Sequence, residues 1–569
     1  SSSMYSRTGS SKVGKGSPSM LKSLPNFWKS LPASVRYLLL VGSVGRNHLI
    51  GIAAEVARVC TEERRSEKMQ LFVSLCSQLL LAAWEEDPLH PETAEQLWRW
   101  HARFPFLDEH TAAVVRAVCD EVLLAKNSSK GKCLPKTDES ISEGTENKYT
   151  NTLLDYRKAY WHAMYEGNYD EARSRLEETQ WPHPMERLRQ RYLASVYWTK
   201  GEYHLWEKAL TYGGAVLSDA DRCLQLGNLA FAQGHRPKAL ALWRQCLTFR
   251  PWFTQLILKS YDVANELDHL RRPLEGQVVI CLYTYNKASE LQDSLSSLAQ
   301  SALGAAKILL LVNGCTDNTR HVARAWQERL GEERLRMIDL PINIGAPAAR
   351  NWLMHDPEVR EADWIAYLDD DALVPAEWLH LLGGAVKRYP HAGTWGCRVV
   401  DARVPSTIQA VDYHALPPTC ADGAQNAAPF LLSMLHYETI DQGQYSYLRP
   451  CVHVTGCCHL FSTKTLLESG DFDLRFSPSQ FDDLEHDFRL AFSGKPAVYQ
   501  GHLAVRHMNR TAKRTRVHVG ERGSAGANLY KLHQKYSRQE YLNLIQWNMS
   551  LIEKDFFQKL KESTFYGGC

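Results

Sequence analysis

The spacing of apolar residues changes near the middle of the chain. In residues 31–124 apolar side chains recur at helical intervals; Ile52, Val56 and Val59, for example, lie at positions i, i+4 and i+7. This period is typical of helices that bury one face. From about residue 273 the pattern becomes one of short apolar runs separated by longer amphipathic stretches. The first part therefore predicts helices, and the second predicts alternating strands and helices.

Four short apolar runs in the second part predict buried strands. They span residues 277–283, 308–312, 336–340 and 364–368, and helical stretches separate them. Apolar strands alternating with helices predict a mostly parallel sheet that is covered by helices on both faces. Such sheets bind ligands at the carboxyl ends of their strands, so the polar residues after each strand are candidates for a functional site.

Changes in composition divide the helical half. Residues 126–150 lose their apolar side chains and are rich in Ser, Lys, Glu, Asn and Gly, as an exposed linker would be. Residues 1–20 are rich in Ser, Gly and Lys and predict a tag or a disordered tail. We therefore expect one helical region at residues 21–125 and a second at residues 151–270.

The second helical region contains a repeat. The glycines of GNYDEA, GEYHLW and GHRPKA are Gly167, Gly201 and Gly234, which lie 34 and 33 residues apart. This period resembles that of tetratricopeptide helical hairpins. The resemblance implies about three hairpins, whose groove could hold a protein partner, an acceptor or a second subunit. The alternative is an all-helical bundle in which glycines happen to recur.

Length, charge and cysteine content limit the class of protein. A chain of 569 residues is long enough for two or three domains, because single cores stop growing near ~250–300 residues. Lys and Arg total 66 against 64 Asp and Glu, so the basic excess of a nucleic-acid binder is missing. The apolar run near residues 37–44 is too short for a membrane span, which needs ~20 residues. The 14 scattered cysteines show no CxxC pair, which favours reduced thiols and predicts a cytoplasmic location.

Polar motifs follow the predicted strands. They read YTYNK, NGCTDNT, NIGAPAARN and LDDDALVPAEWL, and they begin at Tyr283, Asn313, Asn343 and Leu368. In this order they resemble the GT-A fold glycosyltransferases of family 2, which are inverting enzymes that use nucleotide sugars. The resemblance covers about residues 276–510. It implies an α/β GT-A domain, a Rossmann-like nucleotide-diphospho-sugar transferase fold, preceded by the all-α tetratricopeptide-like region.

The resemblance also implies an activity and a set of partners. We expect a GT-A domain at residues 271–520, C-terminal helices at 521–569, and an inverting transferase of the hexosyltransferase type. Its donor would be a nucleotide sugar, a UDP-sugar by default, and its acceptor a peptide, a protein or a glycan. Homo-oligomers formed through the helical regions are a further hypothesis. The side chains expected to bind the donor are Thr284, Tyr285, Asn286, Asn313, Asp317, Asn343, Gly345, Arg350, Asp369 and Asp370.

Three adjacent carboxylates, Asp369, Asp370 and Asp371, follow the fourth predicted strand. They repel one another unless a cation or solvent neutralises them, and a hard divalent ion is a natural partner. In the resembled family the first and third acids face the ribose and the metal, so we expect Asp369 and Asp371 to bind Mn²⁺ or Mg²⁺. The ion would stabilise the charge that develops on the leaving group. The alternative is a set of solvated acids at a helix start, since Pro375 and Glu377 follow.

A second acidic segment, FDDLEHDFRLAFSG, resembles the acceptor-side motif of the family. Alignment on Arg489 places Asp482 and Asp483 on its acidic pair and makes Asp483 the candidate general base. An inverting displacement needs a carboxylate that takes the proton of the attacking hydroxyl, a contribution of ~10²- to 10⁴-fold. Asp482, Glu485 and Asp487 are alternatives. The segment could also be only an acidic helix start.

A histidine and a group of basic residues follow the second acidic segment. In the resembled enzymes a His at the distance of His507 often completes the metal or diphosphate site, whereas a lone His is more often structural. Arg510, Lys513, Arg514 and Arg516 form either a mobile lid over the diphosphate or a solvated basic loop.

The sequence departs from the family at Val312. Family members commonly have an Asp there, which accepts a hydrogen bond from uracil, and a valine cannot accept one. Either Asn313, Asp317 or a backbone carbonyl reads the base, or the base is not uracil. UDP stays the default by resemblance.

Two other functions compete with this interpretation. The chain could be a catalytically inactive, glycosyltransferase-like scaffold that acts through its repeats in protein–protein interaction. Against this, a dead site has no physical reason to keep clustered acids at Asp369, Asp371 and Asp483. A nucleotidyltransferase would open with a Gly-rich loop that contains Arg and Lys, and YTYNKASE has no glycine.

Overall fold

A computed structural model describes residues 24–62, 66–130, 153–418, 428–437, 439–508, 519–563 and 565. Its first half is built from helices, and its second half is a sheet with helices on both faces, followed by two more helices. The predicted tail lies outside the described residues, as do most of the predicted linker and the basic residues Arg510, Lys513, Arg514 and Arg516.

The helical half begins with α1 to α6, as the apolar spacing predicts. Their bounds are α1 (Leu24–Ser30), α2 (Ala33–Val41), α3 (Arg46–Glu62), α4 (Ser66–Glu86), α5 (Pro91–Arg103) and α6 (Glu109–Lys130). The stripe of Ile52, Val56 and Val59 is buried in α3. Helix α6 continues to Lys130, so the first residues of the predicted linker are helical.

Three helical hairpins follow, where the repeat occurs in the sequence. They pair α7 (Leu153–Glu166) with α8 (Tyr169–Glu178), α9 (Glu186–Lys200) with α10 (Tyr203–Thr211), and α11 (Asp219–Ala232) with α12 (Arg236–Phe249), and α13 (Thr254–Ala264) comes next. Gly167, Gly201 and Gly234 stand in the turns within the pairs, with φ of 78°, 69° and 80°. Glycine adopts positive φ without the steric cost of a Cβ, which explains why it recurs there. The tetratricopeptide identity of the hairpins stays a prediction.

Ten strands of the second half form one sheet. All strands of the described residues, these ten and two others, are β1 (Val278–Thr284), β2 (Lys307–Asn313), β3 (Leu335–Leu340), β4 (Trp364–Leu368), β5 (Ala372–Leu373), β6 (Thr394–Asp401), β7 (Ile408–Ala410), β8 (Ala415–Leu416), β9 (Leu431–Leu432), β10 (Leu448–Cys451), β11 (Cys458–Ser462) and β12 (Ala497–His507). The order in the sheet is β10-β12-β6-β11-β4-β1-β2-β3, with β5 on β12 and β7 on β6. Strands β8 and β9 form a separate pair.

The predicted parallel arrangement is confirmed for the first four strands, and β12 and β6 are also parallel. Strand β1 pairs in parallel with β2 and β4, and β2 pairs in parallel with β3. Beyond β4 the expectation of a mostly parallel sheet is wrong, because β11 runs antiparallel to β4 and β6, and β10 runs antiparallel to β12. The apolar pattern of a short strand does not carry its direction, which depends on distant partners. The sheet is therefore mixed.

Helices cover both faces of the sheet, as predicted. One face packs against α14 (Ala288–Gln300), α15 (Thr319–Leu330) and α18 (Trp378–Arg388), and the other against α16 (Ala346–Met354), α17 (Pro357–Glu361), α19 (Thr463–Ser469) and α20 (Asp482–Phe492). Leu310 of β2 lies in the first core and its neighbour Leu311 in the second. Successive strand side chains point to opposite faces, so one strand serves both cores.

The C-terminal helices join the helical half to the sheet. They are α21 (Val519–Lys535) and α22 (Arg538–Glu562). The rings of Trp28 in α1 and Phe556 in α22 lie 4.6 Å apart. Lys559 in α22 donates to the carbonyl oxygen of Leu448 in β10 at 2.6 Å. One hydrophobic core thus extends from α1 through the hairpins to α22 and the edge of the sheet.

Two further expectations concern membranes and thiols. In the described segments no helix combines the length and the apolar composition that crossing a membrane needs. The cysteines of those segments form no disulfide. The cytoplasmic location stays a prediction.

A buried ion pair at this junction joins Arg449 of β10 to Asp412. The same guanidinium donates to the carbonyl oxygens of Leu40 and Val41, at 2.7 Å each, where α2 ends. No helical N–H reaches these carbonyls, so the arginine satisfies them. Burial acts to raise the pKa of Asp412, but the charge of Arg449 outweighs it and holds that pKa well below its usual range.

We expect Arg449→Met to destabilise the protein by about 3–5 kcal/mol at neutral pH, because it leaves a buried carboxylate without its cation. The lowered pKa of Asp412 stabilises the folded protein at neutral pH, and this stabilisation is lost as the pH falls through the folded-state pKa. The difference in unfolding free energy between Arg449→Met and the unmodified protein should therefore become smaller in acid. Urea unfolding followed by tryptophan fluorescence measures the change. Arg175→Met, which breaks an exposed pair with Glu171 on α8, is the control and should cost ~0.3–0.5 kcal/mol. Equal losses in the two variants would contradict the prediction.

Candidate active site

The candidate site lies at the carboxyl ends of β1, β2 and β4, the edge at which parallel sheets bind ligands. Strand β1 ends at Thr284, which is buried. The end of β12 reaches the same edge, because His507 pairs with Ala372 directly after the three adjacent acids. The structure thus brings His507 to the acids that precede it by more than a hundred residues.

Lys287 neutralises two of the three adjacent acids. Its ammonium group donates to Asp370 Oδ1 at 3.0 Å and to Asp371 Oδ2 at 2.8 Å, and both carboxylates are buried. Burial would lower the pKa of Lys287, but the two carboxylates raise it far above its usual range. The lysine therefore keeps its charge and offsets the repulsion between the acids.

Asp369 is the acid of the three that solvent reaches, with 27% of its side chain exposed. Burial of the carboxyl group and the charge of Asp371 raise the pKa of Asp369 to about 6. His507 Nε2 lies 3.7 Å from Asp369 Oδ2 and 2.9 Å from Asp371 Oδ1, and His507 Nδ1 lies 2.8 Å from the side-chain oxygen of Gln409. If Nδ1–H donates to Gln409, then Nε2 points at the two carboxylates, where it either carries a second proton or binds a cation.

A thiol lies against Asp369 and His507. The sulfur of Cys457, a carboxylate oxygen of Asp369 and a ring nitrogen of His507 are all within 4.8 Å of one another. The backbone N–H of Asp369 donates to the carbonyl oxygen of Cys457 at 2.9 Å. These three side chains form a group of donors that could hold a divalent cation.

Two asparagines tie together the loops after β2 and β3. The Asn313 amide donates to Asn343 Oδ1 and accepts from the N–H of Ile344, both at 2.9 Å, and Asn343 Oδ1 also accepts from the N–H of Gly345 at 2.9 Å. Asn313 is buried, as is Val312 before it. The oxygen of Asn313 is therefore committed to the loop, although the sequence left it as a possible reader of the base.

The loops after β1 and β2 meet beside these asparagines. The side-chain oxygen of Asn286, which has φ of 51°, accepts from the N–H of Thr316 at 2.8 Å. Asp317 Oδ1 accepts from the N–H of Thr319 at 2.9 Å, at the start of α15. Tyr285 is 45% exposed. The loops that carry Asn286 and Asp317 thus adjoin, and the roles of the predicted donor-binding residues stay predictions.

Arg350 of α16 forms a buried ion pair with Asp482, the first residue of α20. Its guanidinium also lies over the rings of Tyr283, at 5.5 Å, and Phe472, at 5.4 Å. Burial raises the pKa of Asp482, although the charge of Arg350 opposes this. Asp482 is therefore committed to Arg350.

Asp483 has 18% of its side chain exposed. Its Oδ2 accepts from the N–H of Gly456 at 2.7 Å and its Oδ1 from the N–H of Leu484 at 2.9 Å, and His453 Nε2 lies 4.0 Å from Oδ2. Burial acts to raise the pKa of Asp483, but the charges of His453 and Arg350 and the Gly456 N–H outweigh it, and the pKa lies below its usual value. The carboxylate is therefore ionised at neutral pH.

The two remaining acids of α20 point inward. Glu485 accepts from the Lys535 ammonium and the Tyr536 hydroxyl, both at 2.6 Å. Asp487 lies 2.7 Å from His453 Nδ1. Both side chains are buried with these partners, so Asp483 is the most exposed carboxylate of the segment.

The two acidic groups adjoin one short backbone segment. Gly456 contacts Asp483, and the next residue, Cys457, contacts Asp369. A Cβ at position 456 would lie 2.7 Å from Arg350 Nη2 and 2.8 Å from Asp483 Oδ2, so the absence of a side chain allows this close approach. The acids predicted to act on the acceptor and on the donor therefore contact two consecutive residues.

Residues 279–460, from β1 into β11, match the family model described as "Glycosyl transferase family 2". This segment is a glycosyltransferase family 2 domain. A search of curated protein sequences gave no significant match to the chain.

Three solved structures show low similarity to the chain. The crystal structure of GalNAc-T7 with UDP, GalNAc and Mn²⁺ has 11% sequence identity and a TM-score of 0.36, over 50% of this chain and 55% of that chain. Mannosyltransferase PcManGT from Pyrobaculum calidifontis, in complex with GDP-Man and Mn²⁺, has 16% identity and a TM-score of 0.33, over 57% of this chain and 88% of that chain. S. aureus TarS has 12% identity and a TM-score of 0.31, over 50% of this chain and 44% of that chain. The chain thus spans about half the length of GalNAc-T7 and TarS, and similarity at this level identifies no substrate.

Sequence reasoning missed four side chains of the glycosyltransferase domain that contact these acids or their partners. They are Lys287, Gln409, His453 and Cys457. For Lys287 a signal existed, because it stands in the YTYNK motif and three adjacent acids require a nearby cation. Gln409 and His453 belong to no motif, and only the folded chain brings them to the site.

We expect Lys287→Met to destabilise the glycosyltransferase domain by about 2–3 kcal/mol at neutral pH. This is less than the ~3–5 kcal/mol of a fully buried pair, because solvent reaches the lysine. The lowered pKa of Asp371 stabilises the folded state at neutral pH, and this contribution is lost as the pH falls through the folded-state pKa. The difference in melting temperature from the unmodified protein should therefore be larger at about pH 7 than at about pH 3, which lies below the ordinary pKa of an aspartate, ~3.9.

The control for this prediction is Lys307→Met, at the opposite end of β2. Its ammonium group pairs with Glu358, both side chains are partly exposed, and little change is expected at either pH. A loss of melting temperature in Lys287→Met that does not depend on pH would show that the lysine does not act through the carboxylates.

Proposed function

We propose that the chain is a metal-dependent, inverting glycosyltransferase of the hexosyltransferase type, which moves a sugar from a nucleotide-sugar donor to an acceptor. The observation that carries this proposal is that Asp483 and Asp369 contact the consecutive residues Gly456 and Cys457. Each is the most exposed carboxylate of its acidic group. A transferase needs one such group for the donor and another for the acceptor.

The donor side has the ligand types that a divalent cation needs. Asp369 offers a partly exposed carboxylate, and His507 offers a ring nitrogen whose orientation Gln409 fixes. Asp371 lies beside them: its Oδ2 accepts from Lys287, and its Oδ1 lies 2.9 Å from His507 Nε2. When bound, the cation would neutralise charge on the donor diphosphate. Lys287 meanwhile holds Asp370 and Asp371 in place, so that Asp369 faces the donor.

The nucleotide is proposed to lie over the ends of β1 and β2. Exposed Tyr285 offers a ring on which a base can stack. Val312 is buried and cannot accept a hydrogen bond, and the oxygen of Asn313 is occupied by Ile344. Asp317 carries a carboxylate in the loop after β2, whose Oδ1 accepts from Thr319, and it is proposed as the side chain that reads the base. UDP stays the default donor nucleotide.

Asp483 is proposed as the general base. It is ionised at neutral pH, and backbone N–H groups fix both of its oxygens. In the transfer the acceptor hydroxyl gives its proton to this carboxylate as its oxygen bonds to the anomeric carbon. The bond from that carbon to the diphosphate breaks on the opposite side, and the electron pair leaves with the nucleotide. Attack opposite the leaving group inverts the anomeric carbon.

A peptide or protein acceptor is the proposal that the helical hairpins favour. They contact the glycosyltransferase domain directly: Tyr169 of α8 lies 2.8 Å from Ser406, between hydroxyl oxygens, and the Trp198 indole of α9 donates to the carbonyl oxygen of Asp441 at 2.8 Å. Stacked hairpins offer an extended surface for a polypeptide. A polypeptide held there would lie next to the domain that modifies it.

The donor side is tested by Mn²⁺-dependent binding to a panel of UDP-, GDP- and dTDP-sugars. The full chain is expected to bind at least one, with Asp371→Ala weakening binding by ~10- to 100-fold or more, since outer partners of a metal site alone are worth that much. Glu358→Ala, at the other end of the sheet, should bind normally. Absence of binding to every donor would favour an inactive scaffold.

Asp483→Asn tests the general base. Asparagine keeps the shape and can still accept from the Gly456 N–H, so donor affinity should be unchanged while transfer falls by ~10²- to 10⁴-fold. Single-turnover transfer and donor binding are measured side by side. Asp471→Asn, an exposed acid that pairs with His355, is the control. Turnover near that of the unmodified protein would exclude Asp483 as the base.

A further inference from the structure

One of the three donor atoms beside Asp369 is sulfur, not oxygen. Cys457 is 5% exposed, and its carbonyl oxygen accepts from the N–H of Asp369, which holds the two side chains next to each other. Its sulfur lies within 4.8 Å of the donor atoms of Asp369 and His507. A zinc–sulfur bond of ~2.3 Å and a zinc–nitrogen or zinc–oxygen bond of ~2.0–2.2 Å together span at most ~4.5 Å, so small side-chain rotations bring all three atoms onto one ion.

The neighbouring acid is less available than the thiol. Asp371 is 1% exposed, its Oδ2 accepts from Lys287 at 2.8 Å, and its Oδ1 lies 2.9 Å from His507 Nε2. The sulfur of Cys457 faces the partly exposed Asp369 instead. His507 has its Nδ1 held by Gln409, which leaves Nε2 directed at the same group of donors. Three mixed protein ligands with room for a fourth from solvent or substrate form the ligand set of a catalytic zinc site.

We propose that Cys457 is a thiolate ligand of the divalent cation, beside Asp369 and His507, and that the site prefers Zn²⁺ and Co²⁺ to Mg²⁺. As the sulfur–metal bond forms, the S–H bond breaks and the proton leaves to solvent. Thiolate and imidazole suit zinc and cobalt, whereas Mg²⁺ binds oxygen ligands. The inference rests on the proposed function only in taking this edge of the sheet as the cation site.

The test uses Co²⁺ as a spectroscopic probe of the full chain. A cobalt–thiolate bond gives a charge-transfer band in the near ultraviolet, which oxygen and nitrogen ligands do not. We expect this band in the unmodified protein and its loss in Cys457→Ser. In competition titrations Cys457→Ser should bind Zn²⁺ at least ~100-fold more weakly, because loss of an outer partner alone costs ~10- to 100-fold.

Cys458→Ser is the matched control. Cys458 is the next residue, is fully buried in β11, and its thiol interacts with Cys397; it does not belong to the group of donors formed by Asp369, Cys457 and His507. It should keep the band and the Zn²⁺ affinity, and the other thiols of the chain are the same in both variants.

Three results would overturn the inference. They are bound Co²⁺ without the band in the unmodified protein, a band that survives in Cys457→Ser, and tighter binding of Mg²⁺ than of Zn²⁺. Each of these leaves the proposed glycosyl transfer standing, because Asp369 and His507 still provide an oxygen and a nitrogen ligand. Failure of every cation to bind would overturn both proposals. The first of these results needs only the spectrum of the unmodified protein with Co²⁺ bound, so it can be obtained even if a variant does not fold.

Discussion

The candidate site depends on the neutralisation of negative charge that the fold concentrates at one edge of the sheet. Asp369, Asp370 and Asp371 follow β4, and Asp482 and Asp483 begin α20. Burial disfavours ionised carboxylates, and like charges this close disfavour them further. Nearby cationic or polar side chains oppose both effects, and they come from other parts of the chain: Lys287, Arg350, His453 and His507.

These partners divide the acids into two kinds. Asp370, Asp371 and Asp482 are buried and paired with Lys287 or Arg350, so they hold the site together. Asp369 and Asp483 keep part of their surface exposed, so they are available to a ligand. The order of strands matters because it brings the end of β1, the end of β4 and the end of β12 to one place.

The local sequence pattern predicted the first four strands and the turns of the repeat, but it did not predict features that depend on contacts between distant residues. The four runs that predicted β1 to β4 are continuous and apolar, and strands buried on both faces give this signal clearly. The glycines of the repeat were recognisable because each turn needs a positive φ. The direction of β11 was not predictable, since it follows from pairing with β4, some ninety residues earlier in the chain. The same limit applies to the site: Asp369, Asp371 and Asp483 stand in motifs, whereas Gln409, His453 and Cys457 acquire their neighbours only through long-range packing.

The contact between α1 and α22 has a consequence for the synthesis of the chain. Trp28 is fully buried, and one of the rings that covers it belongs to Phe556. A ribosome produces these two residues more than five hundred codons apart. The part of Trp28 that packs against Phe556 therefore stays uncovered until α22 has been translated, and apolar surface exposed in this interval favours aggregation unless a chaperone covers it.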